Sequence, residues 1–178
     1  DGEVKGATLA KDRNGERSMA HSFDGVDDLI SIESDSIDLF GSKQESTISL
    51  WLAIDDSKIG EILSKGSHAG QKYLAVTSDN GKLQLSLYNL QQKIMYSIFS
   101  KENAHEAINW NHIVFVRGET GKVFLNGVDV TDYDKSTNAG WSYDYSSILT
   151  DGITIGARRF DGRHENYFSG TLDDIRIY

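Results

Sequence analysis

Residues 47–54 read TISLWLAI, and their alternation decides the fold class. Ile48, Leu50, Leu52 and Ile54 fall on one side of an extended chain, with Ser49, Trp51 and Ala53 on the other, because successive strand side chains point to opposite faces. The same period runs through KLQLSLY at 82–88, which turns Leu83, Leu85 and Leu87 inward and Gln84 and Ser86 outward. KIMYSIF (93–99), HIVFVR (112–117), KVFLNG (122–127) and GITIGA (152–157) are further short β-branched or aromatic runs of strand character. Between them, Asp79-Asn80-Gly81, Glu119-Thr120-Gly121 and Asn126-Gly127 supply residues that tolerate positive φ in hairpin turns. Residues 101–109, KENAHEAIN, are the one segment able to form a short helical turn. Short strands recurring every 8–12 residues predict an all-β, two-sheet antiparallel sandwich. With no internal repeat, linker or low-complexity segment, the chain is one domain over 1–178.

The closing stretch GTLDDIRIY at 170–178 breaks the rule. Leu172, Ile175 and Ile177 read as one buried face, yet strict alternation puts Leu172 and Asp174 on the same side. Either Asp174 points inward, or a bulge at Asp173–Asp174 shifts the register. Two adjacent carboxylates also call for a positive partner.

Composition narrows the function. A net charge of −9 argues against nucleic acid, whose phosphates need clustered Lys and Arg. No 18-residue apolar run is present to span a membrane, and Asp1 does not open a signal peptide. Cysteine is absent, which excludes disulfides, thiolate metal sites and a cysteine nucleophile. Proline is absent as well.

Four segments taken in order carry a resemblance: GATLAKDRNGERSMAHSFDGVDDLISI (6–32), TISLWL (47–52), NWNHIVFVRGETGKVFLNG (109–127) and ITIGA with YFSGTLDDIRIY (153–178). Together they resemble the laminin-G-like branch of the concanavalin A-like lectin/glucanase superfamily. The resemblance covers nearly the whole chain, and FDGVDD and FSGTLDDIRIY are its most specific parts. It implies a jelly roll of two curved sheets, commonly a non-catalytic module of a larger secreted or surface-attached bacterial protein. It also implies an opening strand that is missing here or lies upstream, leaving one sheet edge uncovered.

In this superfamily a structural calcium ion often ties the first strands to the last. By motif, Asp173 is the matching ligand, and FDGVDD offers Asp24, Asp27 and Asp28 with nearby carbonyls. Calcium takes 6–8 hard oxygen ligands, so such a mixed set suits it. On that reading the cation answers the Asp173 carboxylate, and Asp174 is left for backbone groups or Arg176. The same FDGVDD residues also make an ordinary Asx turn, with Asp173 capping backbone N–H groups.

Catalytic signals are weak. Glycoside hydrolysis needs two carboxylates set across a cleft, and the Glu-x-Asp-x-(x)-Glu strand spacing of the catalytic relatives is absent. Glu33, Asp35 and Asp38 read as a solvated loop; Glu102, His105 and Glu106 read as a surface turn. The five histidines show no zinc-ligand spacing, and His112 matches a structural position. No G-x-S-x-G nucleophile motif or phosphate loop occurs.

Two loops carry the aromatic and polar mixture that stacks and hydrogen-bonds sugars. NAGWSYDYSS at 138–147 offers Trp141, and RRFDGRHENY at 158–167 offers Arg158, Arg163 and Tyr167. The i, i+2 spacing of Trp141, Tyr143 and Tyr145 equally suits packing on a sheet. The arginine-rich loop suits an anionic ligand, such as an acidic polysaccharide, or pairing with the chain's own carboxylates. The expected function is carbohydrate recognition; the rivals are a protein adhesion or spacer module binding a surface protein, and a divergent polysaccharide-degrading enzyme.

Overall fold

The computed structural model describes residues 2–33, 45–54, 59–67, 72–89, 94–101, 109–137 and 152–178. Along the chain run β1 (Glu3–Lys5), β2 (Thr8–Ala10), β3 (Ala20–Asp24), β4 (Leu29–Ile32), β5 (Ser46–Ile54), β6 (Gly60–Ser67), β7 (Lys72–Asp79) and β8 (Lys82–Asn89). They are followed by β9 (Ile94–Phe99), β10 (Asn111–Arg117), β11 (Lys122–Leu125), β12 (Val128–Asp129), β13 (Ile153–Ile155), β14 (Arg158–Phe160), β15 (Arg163–Glu165) and β16 (Ser169–Ile177). The front sheet has the order β1-β4-β13-β6-β7-β8-β9 and the back sheet β12-β11-β10-β5-β16-β3-β2. Neighbouring strands pair antiparallel throughout both. This is the antiparallel sandwich that the alternation predicts.

The core lies between the sheets. Ile48, Leu50, Leu52 and Ile54 from β5 meet Leu83, Leu85 and Leu87 from β8, all essentially inaccessible to water. Each such side chain contributes roughly 1.5–3 kcal/mol of transfer free energy. Phe168 packs edge-on against Phe23 at 6.1 Å between ring centroids, closing the end of the core beside β3. Three hairpins use two-residue turns with both residues at positive φ: Asn80-Gly81, Asn126-Gly127 and Asp161-Gly162. That conformation matches the right-handed twist of the flanking strands.

β16 resolves the break in alternation. Asp173 opposes Trp51 and Arg176 opposes Ser49, so β16 spends one more residue than β5 over this span. Asp174 takes φ +50°, the left-handed conformation of a bulge. The register resets, and Leu172, Ile175 and Ile177 all contact the core.

The arginine-rich segment differs from expectation. Residues 158–167 read as a loop in the sequence; they form a hairpin, with Arg158 opposite Glu165 and Phe160 opposite Arg163. The Asp161-Gly162 dipeptide is the turn signal.

Candidate functional site

The outer face of the front sheet carries a polar site. β7 and β8 pair Tyr73 with Tyr88, Ala75 with Ser86 and Thr77 with Gln84. These positions alternate with Leu74, Val76, Leu83, Leu85 and Leu87, so they look away from the core. A bulge in β6 between Glu61 and Leu63 sets Glu61 opposite Thr77 on the same face. The β14–β15 hairpin brings Arg158 alongside. The result is a groove of about 260 Å³ lined by Glu61, Tyr73, Thr77, Asp79, Gln84, Tyr88 and Arg158, among others.

At its base lies Glu61, only 3% exposed. Tyr73 Oη donates to Glu61 Oε1 at 2.8 Å and Thr77 Oγ1 to Oε2 at 2.9 Å. Arg158 Nη1 stands 3.9 Å from Oε1. Burial pushes the Glu61 carboxyl above the usual carboxylate range, against the opposing pull of these donors and of Arg158. The Tyr73 phenol is also raised, by burial and then by the Glu61 charge, and so stays protonated as a donor. Arg158 Nε and Nη2 donate to Glu165 Oε1 at 3.1 and 2.6 Å. The stacked Tyr73–Tyr88 pair, 5.8 Å apart and 13° from parallel, stiffens one wall.

A second depression of about 280 Å³ adjoins the groove, sharing Ile59 and Asn166 with it. Tyr167 and the Asp24-Gly25-Val26 turn line it. The Tyr167 phenol is raised by its own burial and by Asp27. In this turn one oxygen from each of Asp24, Asp27 and Asp28 lies within 4.8 Å of the others. Asp24 Oδ1 accepts from the Val26 N–H at 2.8 Å, and Asp28 Oδ2 from the Asp24 N–H at 2.9 Å. The remaining carboxylate oxygens form an all-oxygen set with no Lys or Arg paired to them among the described residues. That chemistry fits a hard cation.

Asp173 does not join this cluster. Ser169 opposes Asp24 across β16 and β3, and Asp173 lies four residues further on, about 13 Å along a strand. Its carboxylate binds Arg13, whose Nη2 also lies 3.6 Å from Asp174. Arg176 closes the set with two hydrogen bonds to Asp174, at 2.8 and 2.9 Å. The Arg13 guanidinium is what stands between the paired aspartates. Arg13 is held there by its loop: buried Asp12 accepts from the N–H groups of Asn14 and Glu16 at 2.9 and 2.7 Å. Its guanidinium also sits 4.9 Å above Trp51, a cation–π contact, and Trp51 stacks on His112 at 4.9 Å.

Of the four ligand residues read from sequence, Arg158 lines the groove and Tyr167 the neighbouring depression. Arg163 is exposed beside the hairpin turn, and Trp141 lies outside the described residues, as do Glu102, His105 and Glu106. Glu61, Tyr73, Thr77, Asp79 and Tyr88 line the groove but are not among the site residues read from sequence. Their signal was present: Tyr73, Thr77 and Asp79 alternate against Leu74 and Val76.

Two packed antiparallel sheets with a polar groove on an outer face define an antiparallel β-sandwich module. The family model of the concanavalin A-like lectin/glucanases superfamily, laminin G type, matches residues 24–178, and the chain belongs to that family. A carbohydrate-binding module, the CBM40 of Ruminococcus gnavus IT-sialidase solved with α2,3 sialyllactose, superposes with TM-score 0.68 at 15% identity, covering 99% of this chain and 90% of that one. Domain 4 of AbnA, an extracellular arabinanase from Geobacillus stearothermophilus solved with arabinotriose, gives 0.68 at 17% identity, covering 99% and 81%. A mutant of the NanB sialidase from Streptococcus pneumoniae gives 0.69 at 18% identity; the match covers 89% of this chain but 25% of the sialidase. At these identities the likeness is one of fold. No curated protein sequence matches the chain.

Proposed function

We propose that this chain is a non-catalytic carbohydrate-binding module and that the groove on β6–β8 is its site. The observation that carries the reading is the concentration of hydrogen-bonding side chains there, at the base of a cavity of sugar size. Thr77, Gln84 and Tyr88, spaced by the sheet, and Asn166 from the bend after β15 offer donors and acceptors for hydroxyls. The sialyllactose and arabinotriose bound by structural relatives support this assignment. Catalysis is disfavoured because both oxygens of Glu61 already accept hydrogen bonds from the protein. A glycosidase acid must instead present its proton to the leaving oxygen.

The module works as part of a larger secreted or cell-surface protein on this reading, as the partial coverage of the sialidase suggests by analogy. Asp24, Asp27 and Asp28 would hold calcium, which would lock the turn beside the second depression. Millimolar calcium should then raise the melting temperature relative to EDTA, and Asp28→Asn should remove that response.

The test of the site is an oligosaccharide array probed with the wild type and with Arg158→Ala, Thr77→Val and Tyr88→Ala. Loss of about tenfold or more in at least two variants, each still melting cooperatively, supports the groove. Binding undiminished in all three places the site elsewhere.

A further inference from the structure

We infer that the groove selects uncharged saccharides and excludes carboxylate-bearing ones, and that Glu165 is the specificity-determining residue. This inference rests on the carbohydrate-binding reading above. It runs against the first expectation from the arginine-rich sequence, an acidic ligand. Recognition of a carboxylate by arginine uses two parallel N–H groups on one edge of the guanidinium. On Arg158, the Nε–Nη2 edge is occupied by Glu165 Oε1 at 3.1 and 2.6 Å. Its third nitrogen, Nη1, faces Glu61 Oε1 at 3.9 Å. Every nitrogen of the groove's arginine therefore looks at a carboxylate of the protein.

The charge balance points the same way. Among the described residues, Arg158 is the one cation lining the groove, and Glu61 and Asp79 line it with Glu165 bonded behind. Two lining carboxylates and the bonded Glu165 surround that guanidinium, and Lys82 stands opposite Asp79. Whatever the charge on Glu61, Glu165 holds the guanidinium through two N–H groups. The chain as a whole carries −9, a net charge that does not favour an anion at long range. A uronic or sialic acid would have to displace Glu165 and then sit beside the Glu61 carboxylate. A neutral sugar meets neither obstacle, and Asp79, Gln84 and Thr77 can accept from or donate to its hydroxyls.

Glu165 is the residue to change, because its side chain is 40% exposed and its loss should spare the fold. The probe is an array carrying neutral xylo-, gluco-, galacto- and arabino-oligosaccharides beside oligogalacturonates, their methyl esters and sialyllactose. The wild type should bind neutral or methyl-esterified chains and bind free acids about tenfold more weakly or not at all. In Glu165→Gln, the ratio of acidic to neutral binding should rise about tenfold or more, since one charged acceptor no longer holds Arg158. Arg158→Ala in the same background should cancel that gain. A wild type that prefers free acids, or a Glu165→Gln ratio equal to the wild-type ratio, overturns the inference while leaving carbohydrate binding standing. Binding to no member of the array sinks the carbohydrate reading, and the inference with it.

Discussion

Replacing Arg13 by alanine removes the cation between two adjacent aspartates, and the structure allows its cost to be sized. The Arg13 side chain is 28% exposed and that of Asp173 10%. Breaking a fully buried pair costs about 3–5 kcal/mol, whereas exposed pairs contribute roughly 0–1. A pair between those limits should cost about 2 kcal/mol. Loss of the guanidinium from the Trp51 face, 4.9 Å away, adds roughly 0.5–1 kcal/mol. For a domain of this length, the resulting 2–3 kcal/mol corresponds to a melting temperature lower by about 5–10 °C. Calorimetry, or the fluorescence of the tryptophans, reads this directly. The drop should be the same in EDTA and in millimolar calcium, because arginine supplies the charge. Asp173→Asn placed in the Arg13→Ala background should recover part of the loss, since it removes the repulsion with Asp174. An Arg13→Ala variant melting within about 1 °C of wild type would refute the clamp. So would a calcium response of the wild type that Asp173→Ala abolishes.

The remaining expectations concern protons and backbone. His112 is held below its ordinary value by burial and then by Arg13, with Asp174 opposing. Its neutral form is therefore the native one, so stability should be full above about pH 6.5 and decline as the pH falls below it. Arg13→Ala should flatten that decline, as seen in melts across pH 5–8. Glu61 has the opposite sense: its raised value favours the protonated form in the fold, so its contribution is full below about pH 4.3 and is lost as the pH rises through its folded value. Glu61→Gln should remove that slope, measurable by denaturant titration at several pH values. Gly156→Ala should destabilise by about 3 kcal/mol, because φ is +85° and the new methyl would lie 2.5 Å from the Phe23 ring. A midpoint shift below a third of that would count against the packing described here.

Strand character was legible residue by residue. The inward sets Ile48–Leu50–Leu52–Ile54 and Leu83–Leu85–Leu87 are buried as their alternation requires. The Asn80-Gly81 and Asn126-Gly127 turns adopt the positive φ that their chemistry favours. Even the bulge in β16 was one of two outcomes the broken period allowed. Less was legible about the polar groups. FDGVDD brings its own three aspartates together, because they are neighbours in sequence, but the step to Asp173 fails. A motif can say that a carboxylate faces outward; it cannot say which cation faces it.

The sequence by itself determined the sandwich, its hairpins and its inward faces, because a strand's period and a turn's φ are properties of a few consecutive residues. Only the tertiary structure decided which charges meet. Arg13 finds Asp173 across 160 positions, and Glu61 finds Arg158 because β13 lies beside β6 in the front sheet and the hairpin follows it. Sheet order and register set those encounters. They arise from burying many apolar side chains at once, so no short stretch of sequence contains them.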